Sequence, residues 1–77
     1  MKNKNKNENE LTKREIEVLG YFQYSMNDHE IGEELCISHH TVHTHRKHIY
    51  EKLDAHKDLE AVINGLAQGY IEIKPKV

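Results

Sequence analysis

The chain has 77 residues and a formal net charge of −2 at pH 7, with 36% hydrophobic and 31% charged residues. This length allows one small domain and excludes most enzyme folds that need a large scaffold, and no apolar run approaches the roughly 20 residues that cross a bilayer. The single cysteine excludes an internal disulfide and, with no apolar secretory signal near the start, indicates a cytoplasmic protein without a membrane partner.

The composition changes along the chain and divides it into three parts. Residues 1–10 alternate Lys or Glu with Asn and contain no apolar side chain after Met1, which predicts a disordered arm or linker because nothing there offsets the entropy of ordering. Apolar residues at helical spacing begin at Leu11 and predict one domain over 11–71. Residues 72–77 form a short C-terminal tail.

Apolar spacing and capping residues predict four helices and no strand, an all-α fold. Thr12 and Glu15 form a capping box ahead of the first helix. Asn27 or Asp28 can cap the second helix, and Ser38 can cap the third. The predicted helices cover about 13–23, 28–35, 38–53 and 59–68, with a polar connection at 54–58 and Gly69 as the final C-cap.

The second and third helices are joined by a tight link at Cys36 and Ile37. Two short helices joined in this way, the second with polar side chains along one side, form the arrangement that presents a helix to the DNA major groove. Many other all-helical domains contain such a bend, so the spacing alone leaves both interpretations open.

The residues themselves resemble the DNA-binding domain of LuxR-type (GerE-like) bacterial transcription regulators. The resemblance lies in LTKREIEVL at 11–19, NDHEIGEEL at 27–35, ISHHTVHTHRKHIYEKL at 37–53 and LEAVINGLAQGYI at 59–71, in one unbroken register. It implies a four-helix fold with the third helix as recognition helix. It also implies promoter DNA as a partner, a homodimer on DNA through the fourth helix, and RNA polymerase as a further partner.

The resemblance implies which side chains contact DNA. The two residues after the TV pair and the basic residue three further on would contact base edges; here these are His43, Thr44 and Lys47. At 100° per residue they lie opposite the apolar side of the third helix, and all can form hydrogen bonds. Helix N-termini attract anions, and most of the candidate phosphate contacts lie at the starts of the second and third helices. The candidates are Asn27, His29, His40, Thr41 and Arg46.

The fourth helix has more apolar residues than a core-facing side needs. One stripe fits the core, and a second lies beside it, which is too much apolar surface for a monomer. We therefore predict that the second stripe is a dimer interface. Its members are Leu59, Ile63, Leu66 and Tyr70.

Several residues depart from the pattern of the resembling family. His43 stands where the family usually has Lys or Arg, which exchanges a permanent charge for a titratable one. Asp54 and Asp58 replace a glycine and an arginine, so the corner before the fourth helix is expected to differ. Gly32 and Gly65 replace two alanines, and each is expected to cost about 1 kcal/mol by helix propensity.

Metal binding and catalysis are the competing interpretations of the same residues. The pairs His39/His43 and His45/His48 have helical spacing that suits zinc or nickel, but no third ligand lies at an obvious position on the same side. A triad on Ser38 or Cys36 lacks an acid that would orient a base, and an acidic cluster on the second helix is more typical of a solvated side. We therefore predict no enzyme activity, no metal, no cofactor and no small-molecule ligand within this domain.

The sequence thus predicts a sequence-specific DNA-binding transcription regulator. The alternative is a helical protein-interaction module that uses the apolar stripe of the fourth helix and binds little or no DNA, because the net charge is −2 and basic residues are few. Seven histidines bear on this choice, since protonating all of them would move the net charge from −2 to +5. We therefore expect DNA affinity to rise as the pH falls through the histidine range.

Overall fold

The fold consists of four helices in the computed structural model, which describes residues 10–75. We label them α1 (Lys13–Phe22), α2 (Asp28–Leu35), α3 (His39–Leu53) and α4 (Asp58–Ala67). The all-α prediction is confirmed, and no strand forms within the described residues. Nine of the ten residues assigned to an N-terminal arm lie outside the described part, as do residues 76–77.

Local capping explains where α1 and α3 begin. The Thr12 hydroxyl accepts a hydrogen bond from the Glu15 N–H, and the Glu15 carboxylate accepts one from the Thr12 N–H, which completes the predicted capping box. Ser38 caps α3 by accepting from the Thr41 N–H at 3.1 Å. α4 begins at Asp58, one residue earlier than predicted, and its N-cap Lys57 makes no side-chain capping bond.

The turns that end α2 and α3 use left-handed residues other than glycine. Cys36 follows α2 with φ 60° and Asp54 follows α3 with φ 54°. Asp54 stands where the resembling family has glycine, and a short polar side chain is one of the few that tolerate this conformation. The prediction of a polar connection at 54–58 is wrong at Ala55, which is buried in the core.

The core lies where α1, α3 and α4 meet, with α2 packed against α3. Each helix buries one stripe and exposes the opposite side, as expected for a thin amphipathic bundle. No helix among the described residues is long and apolar enough to span a membrane. The largest fully buried side chains are Val18, Leu19, Ile31, Val42 and Ile49.

Two of the three helical glycines, Gly32 and Gly65, are packed closely, which changes the expectation from helix propensity. A Cβ atom on Gly32 would lie 2.6 Å from the backbone oxygen of Ile37, in the turn that leads into α3. A Cβ atom on Gly65 would lie 2.7 Å from Leu19 Cδ2. Alanine at position 32 therefore meets backbone, whereas at position 65 it meets the end of a side chain that can shift.

Candidate nucleic-acid interface

The exposed side of α3 contains the three residues predicted to contact bases. His43, Thr44 and Lys47 are all exposed, and 61% of the His43 side chain is accessible. The Thr44 hydroxyl donates to the His40 carbonyl at 3.2 Å, so its oxygen is already engaged with the helix backbone. The opposite side of α3 buries Val42 and the other apolar residues, which fixes the rotation of the helix.

His43 contacts a carboxylate from the neighbouring helix. Its Nδ1 lies 3.4 Å from Asp28 Oδ2, in the first turn of α2. A carboxylate beside a candidate base contact lowers the positive potential that favours DNA, but it also restricts how the imidazole ring is oriented. The pair joins the two helices of the predicted turn at the exposed end of α2.

Arg46 is placed differently from the other candidate phosphate contacts. Only 15% of its side chain is accessible, since its guanidinium lies over the Phe22 ring at 4.4 Å and forms ion pairs with Asp28 and Asp58. Partial burial opposes the charge, but hydrogen bonds to Asp58, Tyr50 and Asp28 outweigh it and raise the pKa of Arg46. This placement favours a role inside the fold.

Asp58 lies at the centre of this polar cluster. The Tyr50 hydroxyl donates to Asp58 Oδ1 at 2.5 Å, and Arg46 pairs with the same oxygen. Burial and the bond to Asp58 raise the pKa of Tyr50. As the first residue of α4, Asp58 also places its negative charge where a helix dipole favours it.

Three imidazole rings lie together where α2 and α3 begin. The His29 and His39 rings stack with centroids 3.9 Å apart, and the His40 ring is tilted against His39 with centroids 4.1 Å apart. Desolvation and the neighbouring rings lower the pKa of His39, while Asp28 acts in the opposite direction. Within residues 10–75, no group of three or more potential ligands is arranged to hold a metal ion.

The remaining phosphate candidates lie at the two helix starts. Asn27 is exposed and caps α2, accepting from the Glu30 N–H at 2.9 Å, while the Glu30 carboxylate accepts from the Asn27 N–H. The first turn of α2 is thus already occupied by acidic side chains. The first turn of α3 contains no acidic residue, and His40 and Thr41 are exposed there.

The residues predicted for a dimer interface fall into two classes. Leu59 and Ile63 are exposed by 66% and 54%, whereas Leu66 and Tyr70 are partly buried against the core. The Tyr70 hydroxyl accepts a hydrogen bond from the Leu11 N–H at 3.4 Å. The apolar surface of α4 that is free for a partner is therefore concentrated at Leu59 and Ile63.

Comparison with known proteins identifies the family of this four-helix domain. A family model described as bacterial regulatory proteins of the luxR family matches residues 9–64. The chain belongs to this family. It therefore contains the helix-turn-helix DNA-binding domain of a group of transcription regulators, not of an enzyme family.

Three relatives support the assignment to the luxR family. The chain is 36% identical over 62 residues to the uncharacterized transcriptional regulatory protein YxjL of Bacillus subtilis, covering 80% of this chain and 28% of the relative. It is 38% identical over 66 residues to the uncharacterized response regulatory protein YgeK of Escherichia coli, covering 86% and 45%. It is 33% identical over 64 residues to the transcriptional regulatory protein DegU of Brevibacillus brevis, covering 83% and 27%. The chain spans less than half the length of each, and no solved structure matches it.

Three residues next to the candidate interface are not indicated by the sequence. The sequence indicates only a helix-capping role for Asp28, yet Asp28 contacts both His43 and Arg46. It indicates Asp58 only as a departure from the family pattern, and it gives no role to Tyr50. The opposite charges of Asp58 and Arg46 are the only feature of the sequence that suggests this ion pair. Because the two residues are 12 positions apart, the sequence does not show that their side chains are in contact.

Proposed function

We propose that this luxR-family domain binds double-stranded DNA sequence-specifically by placing α3 in the major groove, and that the protein regulates transcription. The observation that supports the proposal most directly is the exposed side of α3, where three hydrogen-bonding side chains lie opposite a fully buried apolar stripe. A helix held in this way can enter the groove without rearrangement of the core.

Each proposed base contact has a definite chemistry. Lys47 can donate to guanine O6 or N7. The methyl group of Thr44 can contact a thymine methyl, since its hydroxyl donates to the His40 carbonyl. His43 can form one hydrogen bond with a base edge through Nε2, because Nδ1 faces Asp28. These side chains span one turn of α3, the length over which a recognition helix contacts adjacent base pairs.

The phosphate contacts are proposed for the two helix starts. His40 and Thr41 occupy the first turn of α3, where backbone N–H groups and the absence of acidic side chains favour an anion. His29 and Asn27 can contact the phosphate backbone from the start of α2. Arg46 is not included, because both of its ion pairs are internal.

Dimerisation on DNA is proposed through α4. Leu59 and Ile63 supply the exposed apolar surface, with Leu66 and Tyr70 at its edge. One short helix buries little area, so a dimer of this kind would form mainly when two copies occupy adjacent half-sites. We further propose that the protein acts in the cytoplasm on promoter DNA and that RNA polymerase is a further partner. We also propose that the domain has no catalytic activity.

Selection from a random DNA pool tests the proposed function. The purified 77-residue chain is incubated with random duplexes, and bound sequences are recovered and sequenced. We expect a short motif, repeated at a spacing of about 10 base pairs or a multiple of it when two copies bind. A K47A variant should lose part of the motif. Failure to enrich any motif would contradict the proposal and favour the protein-interaction module.

A further inference from the structure

A continuous series of polar contacts runs from α4 to the exposed side of α3. The Tyr50 hydroxyl donates to Asp58, Asp58 pairs with Arg46, and Arg46 Nε donates to Asp28 Oδ1 at 2.9 Å. Asp28 Oδ2 then faces His43 Nδ1 at 3.4 Å. The series ends on an imidazole that is 61% accessible and is proposed to contact DNA.

The two carboxylate oxygens of Asp28 contact different side chains. Oδ1 is held by Arg46, which is itself anchored by Asp58 and by the ring of Phe22, so the carboxylate cannot easily turn away. Oδ2 is left to face His43. The 3.4 Å contact is electrostatic and does not meet hydrogen-bond geometry, but a carboxylate that can only accept favours a proton, not a lone pair, on the nitrogen that faces it.

We propose that Asp28 determines which bases His43 recognises, by holding the neutral imidazole in the tautomer with the proton on Nδ1. In that tautomer Nε2, on the far side of the ring, has a lone pair and accepts hydrogen bonds. A base edge that donates in the major groove then fits, which means adenine N6 or cytosine N4. Guanine offers O6 and N7 as acceptors and is disfavoured. The inference rests on the proposed function, because it requires α3 to lie in the major groove.

Protonation of His43 would reverse this preference, since the imidazolium donates from both nitrogens and matches guanine. Recognition of adenine or cytosine therefore requires the neutral ring, and the experiments below are made at about pH 8. The titratable and charged groups near His43 come from both helices of the turn. They are Asp28 and His29 on α2; His39, His40, Arg46 and Lys47 on α3; and, through Arg46, Asp58 on α4.

The tautomer can be measured in the free protein. Nitrogen-15 NMR of the ring nitrogens at pH 8 distinguishes a protonated Nδ1 from a protonated Nε2, and free histidine in water favours the latter. We expect His43 to show a protonated Nδ1 in the wild-type chain and to move toward the ordinary tautomer in D28N. His56, exposed after α3, is the internal control. A protonated Nε2 at His43 in the wild type would overturn the proposal, even if D28N failed to fold.

The base preference is measured in DNA. If Asn at position 28 still accepts from Arg46 through its amide oxygen, its NH2 group, which can only donate, faces His43, so a proton on Nδ1 is no longer favoured. At pH 8 we expect D28N to reduce the preference for adenine or cytosine over guanine at one base pair by roughly three- to tenfold, the effect of one hydrogen bond. E33Q removes one negative charge from the exposed side of α2 and should leave the preference unchanged.

The outcomes separate this inference from the proposed function. Selective binding with the same preference in D28N and wild type would overturn the role of Asp28 and leave the DNA-binding function standing. A uniform change in affinity for all sequences in D28N would do the same, because it reports charge and not base recognition. Absence of any selective binding by the wild-type chain would overturn both.

Discussion

Lys52 donates a hydrogen bond to the carboxylate of Glu15 across a 2.9 Å gap, joining the end of α3 to the start of α1. Glu15 is only 3% exposed and also completes the capping box of α1, while His48 Nδ1 lies 3.5 Å from its second oxygen. Burial alone would raise the pKa of this carboxyl, but Lys52, the Thr12 backbone and His48 outweigh it and lower the pKa. A buried acid is thus held ionised by its partners.

Glu15 should make stability depend on pH in the acid range. Because its pKa in the folded chain is lowered, its contribution is fully present above the ordinary value of 4.5 and is lost as the pH falls below it. E15Q should lower the free energy of unfolding by roughly 1 to 3 kcal/mol at pH 7, and less at pH 3. Urea titrations at both pH values measure this. E17Q, which alters the exposed pair with Arg14, is the control, and equal losses in both variants would contradict the prediction.

Arg46 and Lys47 should have opposite effects although they are adjacent. R46M leaves two carboxylates without their partner and should cost roughly 2 to 4 kcal/mol of stability, discounted for partial exposure. K47M should change stability little but weaken binding to the preferred sequence by roughly 1 to 3 kcal/mol and relax specificity at one position, as expected for a lost base contact. Urea titration and fluorescence anisotropy at several salt concentrations test the pair. If folded R46M showed a smaller slope of log affinity against log salt, Arg46 would have to contact DNA, and the internal role would be wrong.

Substituting three glycines by alanine should give three different results. G32A should destabilise the domain by roughly 1 to 3 kcal/mol, because the new Cβ meets the Ile37 carbonyl at 2.6 Å. G65A should be within about 1 kcal/mol of wild type, since Leu19 Cδ2 can move. G20A, with no atom within 4 Å of its Cβ, should stabilise α1 by roughly 0.5 to 1 kcal/mol. Thermal unfolding of the three variants measures these differences in stability. A stabilising G32A would contradict the close approach of a Cβ atom at position 32 to the Ile37 carbonyl.

The α4 surface should affect cooperativity more than folding. I63E places a charge on an exposed apolar position and should reduce cooperative binding to DNA with two half-sites, while binding to a single half-site is retained. I73E makes the same change at another exposed isoleucine, outside α4, and serves as the matched control. Anisotropy titrations on one-site and two-site duplexes compare them. Unchanged cooperativity in I63E would place the dimer interface elsewhere.

The stacked histidines should produce opposing effects of acid on folding and on DNA binding. The lowered pKa of His39, from desolvation and then from His29 and His40, means that the unfolded chain gains protons first, so stability should fall as the pH decreases below about 6.5. Phosphates near His29 and His40 would favour the charged forms, so affinity should rise severalfold from about pH 8 to about pH 6. Anisotropy at constant ionic strength, with circular dichroism at each pH, measures both. A flat affinity profile in a folded protein would place these histidines away from DNA.

The parts of the fold that sequence predicts well are those decided by near neighbours. The capping box of Thr12 and Glu15 and the Ser38 cap each depend on residues three positions apart, and the helices begin where these motifs indicate. The rotation of α3 follows from the period of its apolar residues. Local chemistry therefore suffices for helix starts and for the choice of exposed side.

The parts that sequence does not predict depend on distant partners. The sequence predicts Arg46 as a DNA contact because it is basic and lies on the predicted recognition helix. Its guanidinium instead binds Asp28 and Asp58, which are 18 and 12 residues away along the chain. The C-terminal tail shows the same limit. Gln23 donates to the Glu72 carbonyl and accepts from the Lys74 N–H at 2.9 Å, contacts some 50 residues apart that hold a segment predicted only as a tail.

The pairing of Arg46 with Asp58 also restricts which substitutions either position can accept. An arginine at position 58 would bring a second guanidinium to the point where Arg46 now contacts a carboxylate. D58R should therefore be unfavourable while Arg46 is present and better tolerated once Arg46 is replaced by an uncharged residue. Positions 46 and 58 are thus expected to be epistatic: the effect of a change at one depends on the residue at the other.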